Sequence, residues 1–147
     1  MLNQNIKVTV DAVVFSHNEQ YLQVLLVKRK YDPCKGMWAF PGGFVEDDEE
    51  LEDAAIRELE EETGLKLTAM QQLHTFGKVG RDPRARTVSV AFCTFVESEG
   101  QTIAGADDAA DAQWVNVHDI TELAFDHKEI LDFALQELGN RMSFLIS

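Results

Sequence analysis

Basic residues are scarce in this chain of 147 residues: 13 lysines and arginines stand against 26 aspartates and glutamates, a net charge of −13. Such a balance argues against a nucleic-acid partner, because phosphate contacts need a basic face. Cysteine is nearly missing. Cys34 and Cys93 are isolated, fit neither a CxxC nor a zinc spacing, and read as reduced thiols of a cytoplasmic protein. Long apolar runs are missing as well. "VLLV" and "SVAFCTFV" fall far short of the roughly 20 residues of a membrane span, so no membrane partner is expected. The opening "MLNQNIKVTVDAVV" lacks the basic-then-apolar order of a secretory signal. No repeat, low-complexity tract or linker divides the chain, so residues 1–147 are expected to form a single domain with its own core.

What is present has a clear order. "KVTVDAVVF" is rich in β-branched residues and "YLQVLLVKR" follows after the turn "SHNEQ", which predicts a hairpin. "KYDPCKG" reads as a loop, and "MWAF" runs into "PGG", a breaker that lets backbone amides approach a ligand. A helix is expected from about Glu49 to Thr63, with Asp47 or Asp48 as N-cap and Gly64 just past its end. Leu51, Ala55 and Leu59 form its apolar seam. "LKLTAMQQLHTFGKV" predicts one or two strands, "GRDPRART" a loop, "VSVAFCTFVE" a strand, and "AQWVNV" a short strand after a long acidic loop. A last helix is expected from Asp126 to about Leu138, opened by an Asp126–Glu129 capping box and ended by Gly139. Strands mixed with one central and one terminal helix indicate an α/β or α+β layered domain.

Charge is unevenly placed along this order. Residues 46–62 hold eleven acids and one base, Arg57, and no lysine occurs between Lys35 and Lys66. Within "RELEEETGL", Glu58 lies three residues from Glu61 and four from Glu62, spacings at which like charges on a helix repel by about 0.2–0.5 kcal/mol per pair. A helix built only for solubility would interleave lysines. By contrast, Lys28, Arg29, Lys30 and Lys35, then Lys78, Arg81, Arg84 and Arg86, make two basic segments. An acidic cluster flanked by bases suggests a site for cations and anions together. Three carboxylates within one helical turn suit a hard divalent cation, which takes oxygen ligands.

The stretch "GFVEDDEELEDAAIRELEEETGL" carries a resemblance. Gly43, five residues, Glu49, seven residues, Arg57-Glu58-Leu59, one residue, Glu61-Glu62, one residue and Gly64-Leu65 resemble the Nudix box at every defined position. Proteins of the Nudix family hydrolyse nucleoside diphosphates linked to another moiety. The resemblance implies an α/β/α sandwich in which the box helix packs on a mixed sheet. It implies a magnesium cofactor, with manganese as a substitute, held by Glu58, Glu61 and Glu62 with the backbone carbonyl of Gly42 added. It also implies that Arg57 orients the glutamates and that Glu49 supports them, although a helical wheel turns Glu49 away. For the general base, Glu61, Glu62, Asp107 and Asp108 stay open.

"GRDPRARTVSVAF", "GADDAADAQWV" and "LAFDHKEIL" resemble segments of the ADP-ribose pyrophosphatases and of related sensor domains. The implied substrate contacts are Gly42, Gly43, Arg81, Arg84, Asp107 and Asp108. Arg29, at the end of the second strand, points toward the Pro-Gly-Gly turn and the diphosphate. Trp38, Phe40 and Trp114 read as core, and His127 as an exposed residue at a helix start. With no winged-helix or nucleotidyltransferase segment before Ser147, the expectation is a stand-alone hydrolase converting ADP-ribose to AMP and ribose 5-phosphate. The rivals are a triphosphate or nucleotide-sugar pyrophosphatase and a non-catalytic ADP-ribose sensor. A homodimer is expected through an exposed N-terminal strand edge.

Overall fold

The computed structural model describes residues 3–97 and 111–146, with side chains as far as Asn140. Seven strands form one mixed sheet: β1 (Lys7–His17), β2 (Leu22–Lys28), β3 (Trp38–Ala39), β4 (Gly42–Phe44), β5 (Gln71–Phe76), β6 (Thr87–Phe95) and β7 (Ala112–Asn116). The expected hairpin is there, since β1 pairs antiparallel with β2. It is short, however, joining only Phe15–His17 to Leu22–Val24. Beyond that point the two strands part. β4 then pairs with β1 at Thr9–Asp11 and β3 with β2 at Val27–Lys28. The Phe40–Pro41 corner that links β3 to β4 therefore sits in the fork of a split sheet, where the Ala12 amide donates to the Pro41 carbonyl at 2.8 Å.

The other edge of β1 runs parallel to β6 from Lys7–Thr87 to Phe15–Phe95. β1 is thus a central strand, and the expected N-terminal edge for a second copy does not exist. Its central place follows from composition: Val10 and Ala12–Phe15 are all buried, as a strand covered on both faces requires. Alternation assigns the faces. Val10, Ala12 and Val14 pack with Ala54, Ala55 and Leu59, whereas Val13 and Phe15 pack with Ile130, Leu131 and Ala134. One helix covers each face, which bears out the α/β/α sandwich.

The first helix, α1 (Leu51–Thr63), starts later than expected, with Glu50 as N-cap and no side-chain cap. Asp47 and Asp48 do not cap it. Gly64 ends it in the left-handed region at φ 80°, donating to the Glu60 carbonyl. The last helix, α2 (His127–Ile146), runs through Gly139 rather than stopping there. One helical glycine costs about 1 kcal/mol relative to alanine, too little to end a helix whose following residues favour the conformation. The capping box is also absent, because the Asp126 carboxylate is bound to Arg81 instead. Only Gln71–Phe76 of the segment after α1 is a strand.

Candidate active site

Arg57 organises the box helix. Its Nε and Nη2 donate to the two Glu49 carboxylate oxygens at 2.6 and 2.9 Å, and Nη1 donates to Glu58 at 2.9 Å and Glu61 at 3.3 Å. Nη2 also reaches the Phe44 carbonyl. Glu49 can meet Arg57 because it precedes α1 and is not bound by the helical wheel. The structure therefore places Glu49 in a bidentate ion pair with Arg57. The Arg57 guanidinium holds the Glu49 carboxyl below its ordinary pKa, and these carboxylates hold the Arg57 pKa above its ordinary value.

Glu58 and Glu62 both face the turn at the start of β4. The Gly42 amide donates to Glu62 Oε2 at 3.1 Å. A Cβ on Gly43 would stand 2.5 Å from Glu58 Oε1, so only glycine lets the backbone come this close. The structure thus joins Gly42 to Glu62 by its amide, a contact the sequence reading did not include. Burial, with the Glu58, Asp11 and Glu61 charges, pushes the Glu62 carboxyl up to about 8, while the Gly42 amide pulls the other way. Burial raises Glu58 too, although Arg57 opposes it. Glu61 is the outlying member, with 57% of its side chain exposed.

Among the described residues, no three carboxylate, histidine or cysteine side chains converge as they stand into a metal cage. Glu58 is turned to Arg57 and Glu62 to Gly42. The chemistry of the donors nevertheless fits a divalent ion. They are hard oxygens, and a carboxyl as far displaced as that of Glu62 marks a buried spot where negative charge lacks a counter-charge.

Glu62 and the Gly42–Gly43 turn line a cavity whose other residues include the basic and aromatic Arg29, Arg81, Arg84, Phe44 and Phe125. Arg29 points into it as expected. Arg81 lines it too, but its guanidinium is nearly buried in a bidentate pair with Asp126 at 2.9 and 2.7 Å. It therefore clamps the start of α2 and is not free to grip phosphate. Arg84 is half committed: Nε and Nη2 bind Asp82 at 3.1 and 2.8 Å, while 44% of its side chain stays exposed. That pairing holds the Asp82 carboxyl below its usual range. Asp107 and Asp108 lie outside the described residues.

Three of the site residues that escaped the sequence reading stand out. Asp11 is buried in mid-strand, where it accepts a hydrogen bond from Ser89 and stands 3.4 Å from His127 Nε2. An acid inside the apolar run "VTVDAVV" was its available signal, because a buried strand tolerates a charge only with partners. His127 is buried, not exposed. The Phe40 amide donates to its Nδ1 at 3.0 Å, which leaves the proton on Nε2, toward Asp11. Burial lowers the His127 pKa, with Asp11 pulling the other way. The remaining residue, Phe125, had no sequence signal, since its ring is placed by the turn before α2. Phe40 is core as expected, and Trp38 and Trp114 are half-buried against the two core clusters.

Residues 5–133 match the family described as the NUDIX domain. The "ADP-ribose pyrophosphatase" of Methanocaldococcus jannaschii is 38% identical over 124 residues, 84% of this chain and 70% of that protein. The "ADPR responsive transcriptional repressor NtrR" of Acinetobacter baylyi is 34% identical over 142 residues, 92% of this chain but 56% of the repressor. Among solved structures, the NUDIX domain of Shewanella oneidensis NrtR complexed with ADP ribose aligns with a TM-score of 0.82 at 33% identity, covering 92% of this chain and 90% of that one. A bifunctional NMN adenylyltransferase/ADP ribose pyrophosphatase from Francisella tularensis, complexed with AMP and a Mn ion, aligns with a TM-score of 0.79 at 35% identity. It covers 92% of this chain and 42% of the bifunctional protein.

Proposed function

The chain belongs to the Nudix family, and on that footing we propose that it is a pyrophosphohydrolase converting ADP-ribose and water to AMP and ribose 5-phosphate. The observation that carries the reading is one cavity that brings a box glutamate, the Gly42–Gly43 turn and two arginines together. Glu58 and Glu62 approach the Gly42–Gly43 turn, and Glu62, that turn, Arg29 and Arg84 line one cavity. A diphosphate fits between a cation seat and a cationic wall. The 38% identity to an ADP-ribose pyrophosphatase supports the choice of substrate.

In this reading Glu58, Glu61 and Glu62, with the Gly42 carbonyl, hold magnesium, for which manganese substitutes. The ion supplies Lewis-acid polarisation of the phosphoryl oxygens and a lowered pKa for bound water. Arg57 keeps Glu58 and Glu61 aimed, and Glu49 keeps Arg57 in place. Gly42 and Gly43 let the backbone approach the diphosphate, which Arg29 and Arg84 bind, with Asp107 and Asp108 near the substrate. Arg81 serves indirectly, through Asp126. The oxygen of water bonds to one phosphorus as that phosphorus parts from the bridging oxygen. The water's proton passes to a carboxylate, for which Glu61, Glu62, Asp107 and Asp108 are the candidates. The reading includes action in the cytoplasm; no helix among the described residues is long and apolar enough to cross a membrane. A homodimer stays in the proposal only through a surface other than β1, and light scattering tests it.

Chromatography of the products from ADP-ribose, with and without magnesium, tests the main reading. Magnesium-dependent release of AMP is expected. Faster turnover of triphosphates or nucleotide sugars would replace ADP-ribose as the substrate. The 34% identity to an ADP-ribose-responsive repressor favours one other reading, a sensor that binds ADP-ribose without cleaving it. Intact ADP-ribose after prolonged incubation with magnesium would establish that alternative.

A further inference from the structure

We infer that Phe125 is a positioning residue for the diphosphate: its ring sets Arg29 and Arg84 side by side so that both guanidinium groups present to the same anion. The inference rests on the diphosphate reading above and goes beyond it, because Phe125 itself makes no polar contact.

Two cations share one aromatic ring. Arg29 Cζ lies 4.7 Å and Arg84 Cζ 5.4 Å from the Phe125 ring centroid. Like charges brought together this way repel, unless the ring and nearby acceptors compensate. For Arg84 the compensation is Asp82. Arg29 has only carbonyl partners, Pro33 at 2.8 Å and Tyr31 at 3.4 Å, so its charge is not neutralised by any acid among the described residues. On both arginines Nε and Nη2 are engaged, and Nη1 has no hydrogen-bond partner among the described residues. All three side chains line the cavity that also holds Gly42, Gly43 and Glu62.

The backbone supports this reading. Phe125 has φ 51°, in the left-handed region that bulky residues rarely enter, and such a conformation persists only where the surroundings impose it. They do so from both sides. The Ala124 amide donates to the Trp38 carbonyl at 2.8 Å, and Asp126 is locked to Arg81. The constraint aims the ring at the arginines. Stacking suits this task because it orients a guanidinium plane without consuming its N–H groups. An aliphatic side chain would fill the space but would not fix the planes.

The test is ADP binding by calorimetry in calcium. ADP carries the diphosphate that every rival substrate shares, so the result stands apart from whether ADP-ribose is the substrate. Phe125→Leu should weaken ADP about tenfold, and Phe125→Tyr should stay within about twofold of the parent. Arg84→Lys, which keeps the charge but loses the plane, should weaken ADP to a similar extent. Combining Phe125→Leu with Arg84→Lys should cost no more than either change alone. Parental affinity in Phe125→Leu, equal loss in Phe125→Tyr, or simple multiplication of the two losses would each overturn the inference. Circular dichroism checks folding. Should Phe125→Leu not fold, Arg84→Lys decides by itself, since the half-exposed Arg84 tolerates lysine and unchanged ADP affinity there overturns the inference.

Discussion

The Phe40 amide donates to His127 Nδ1 at 3.0 Å, so the turn beneath the box glutamates is tied to the first residue of the last helix. The same imidazole faces Asp11 through Nε2. Asparagine can offer an acceptor where Nδ1 stands, whereas glutamine reaches only the Nε2 position. His127→Asn should therefore keep most of the turnover. His127→Gln leaves a buried amide without an acceptor, a loss of about 1–3 kcal/mol. Thermal unfolding should show it as a drop of several degrees, with a fall in kcat. Equal behaviour of the two variants would count against the tie.

Glu62 should trade stability for function. Its carboxyl keeps its proton up to about 8 in the folded protein, whereas the unfolded chain releases it near the ordinary 4.5. Between those values the folded state binds the extra proton, so metal-free stability falls as pH rises through the window. Glu62→Gln removes that loss. In chelator at pH 8.5 the variant should melt above the parent, and the gap should close toward pH 4.5. Its magnesium-dependent turnover should fall by about two to three orders of magnitude. Melting curves at both pH values, with one activity assay, check the pair of outcomes.

Gly42 and Gly43 should respond differently to alanine. A Cβ on Gly42 would collide with the Val10 carbonyl, fixed backbone of the central strand, and stand 2.6 Å from Asp11 Oδ1. The three atoms nearest one on Gly43 all belong to the Glu58 carboxylate, which can swing away. Gly42→Ala should therefore lower the melting temperature markedly. Gly43→Ala should fold almost normally and lose activity, because Glu58 is displaced. Comparing melting temperature with kcat separates the two.

Arg57→Lys should show what the planar fork contributes. Lysine keeps one charge but cannot serve Glu49 bidentately while reaching Glu58 and Glu61. The stability cost should be modest, about 1 kcal/mol for a partly exposed pair. Turnover should fall far more than stability, and added magnesium should recover only part of it. A kcat within twofold of the parent would show that Glu58 needs no such guide.

Much of the scaffold was legible because its signals are local. Alternating β-branched residues mark β1 and β6, Gly64 ends α1, and the carboxylate spacing of Glu58, Glu61 and Glu62 follows from helical pitch alone. The misreadings of helix ends were of one kind. Asp47 and Asp48 are competent caps, and Gly139 is a competent stop, but tertiary packing overrode propensities worth about 1 kcal/mol each.

The sequence by itself determined the family, the box helix, the layer order and the acids that face the Gly-Gly turn. The box helix and its acids depend on periodicity and spacing within a few residues, and the layer order came with the resemblance that the box carries. Only the tertiary structure decided that β1 is central, that Arg81 is paired with Asp126, and that Asp11, Phe125 and His127 line the cavity. Each of those facts is a pairing between residues at least 41 positions apart or a placement in the whole sheet. Burial sets which partner a charged group finds, and burial is a property of the packed chain, not of any short stretch of it.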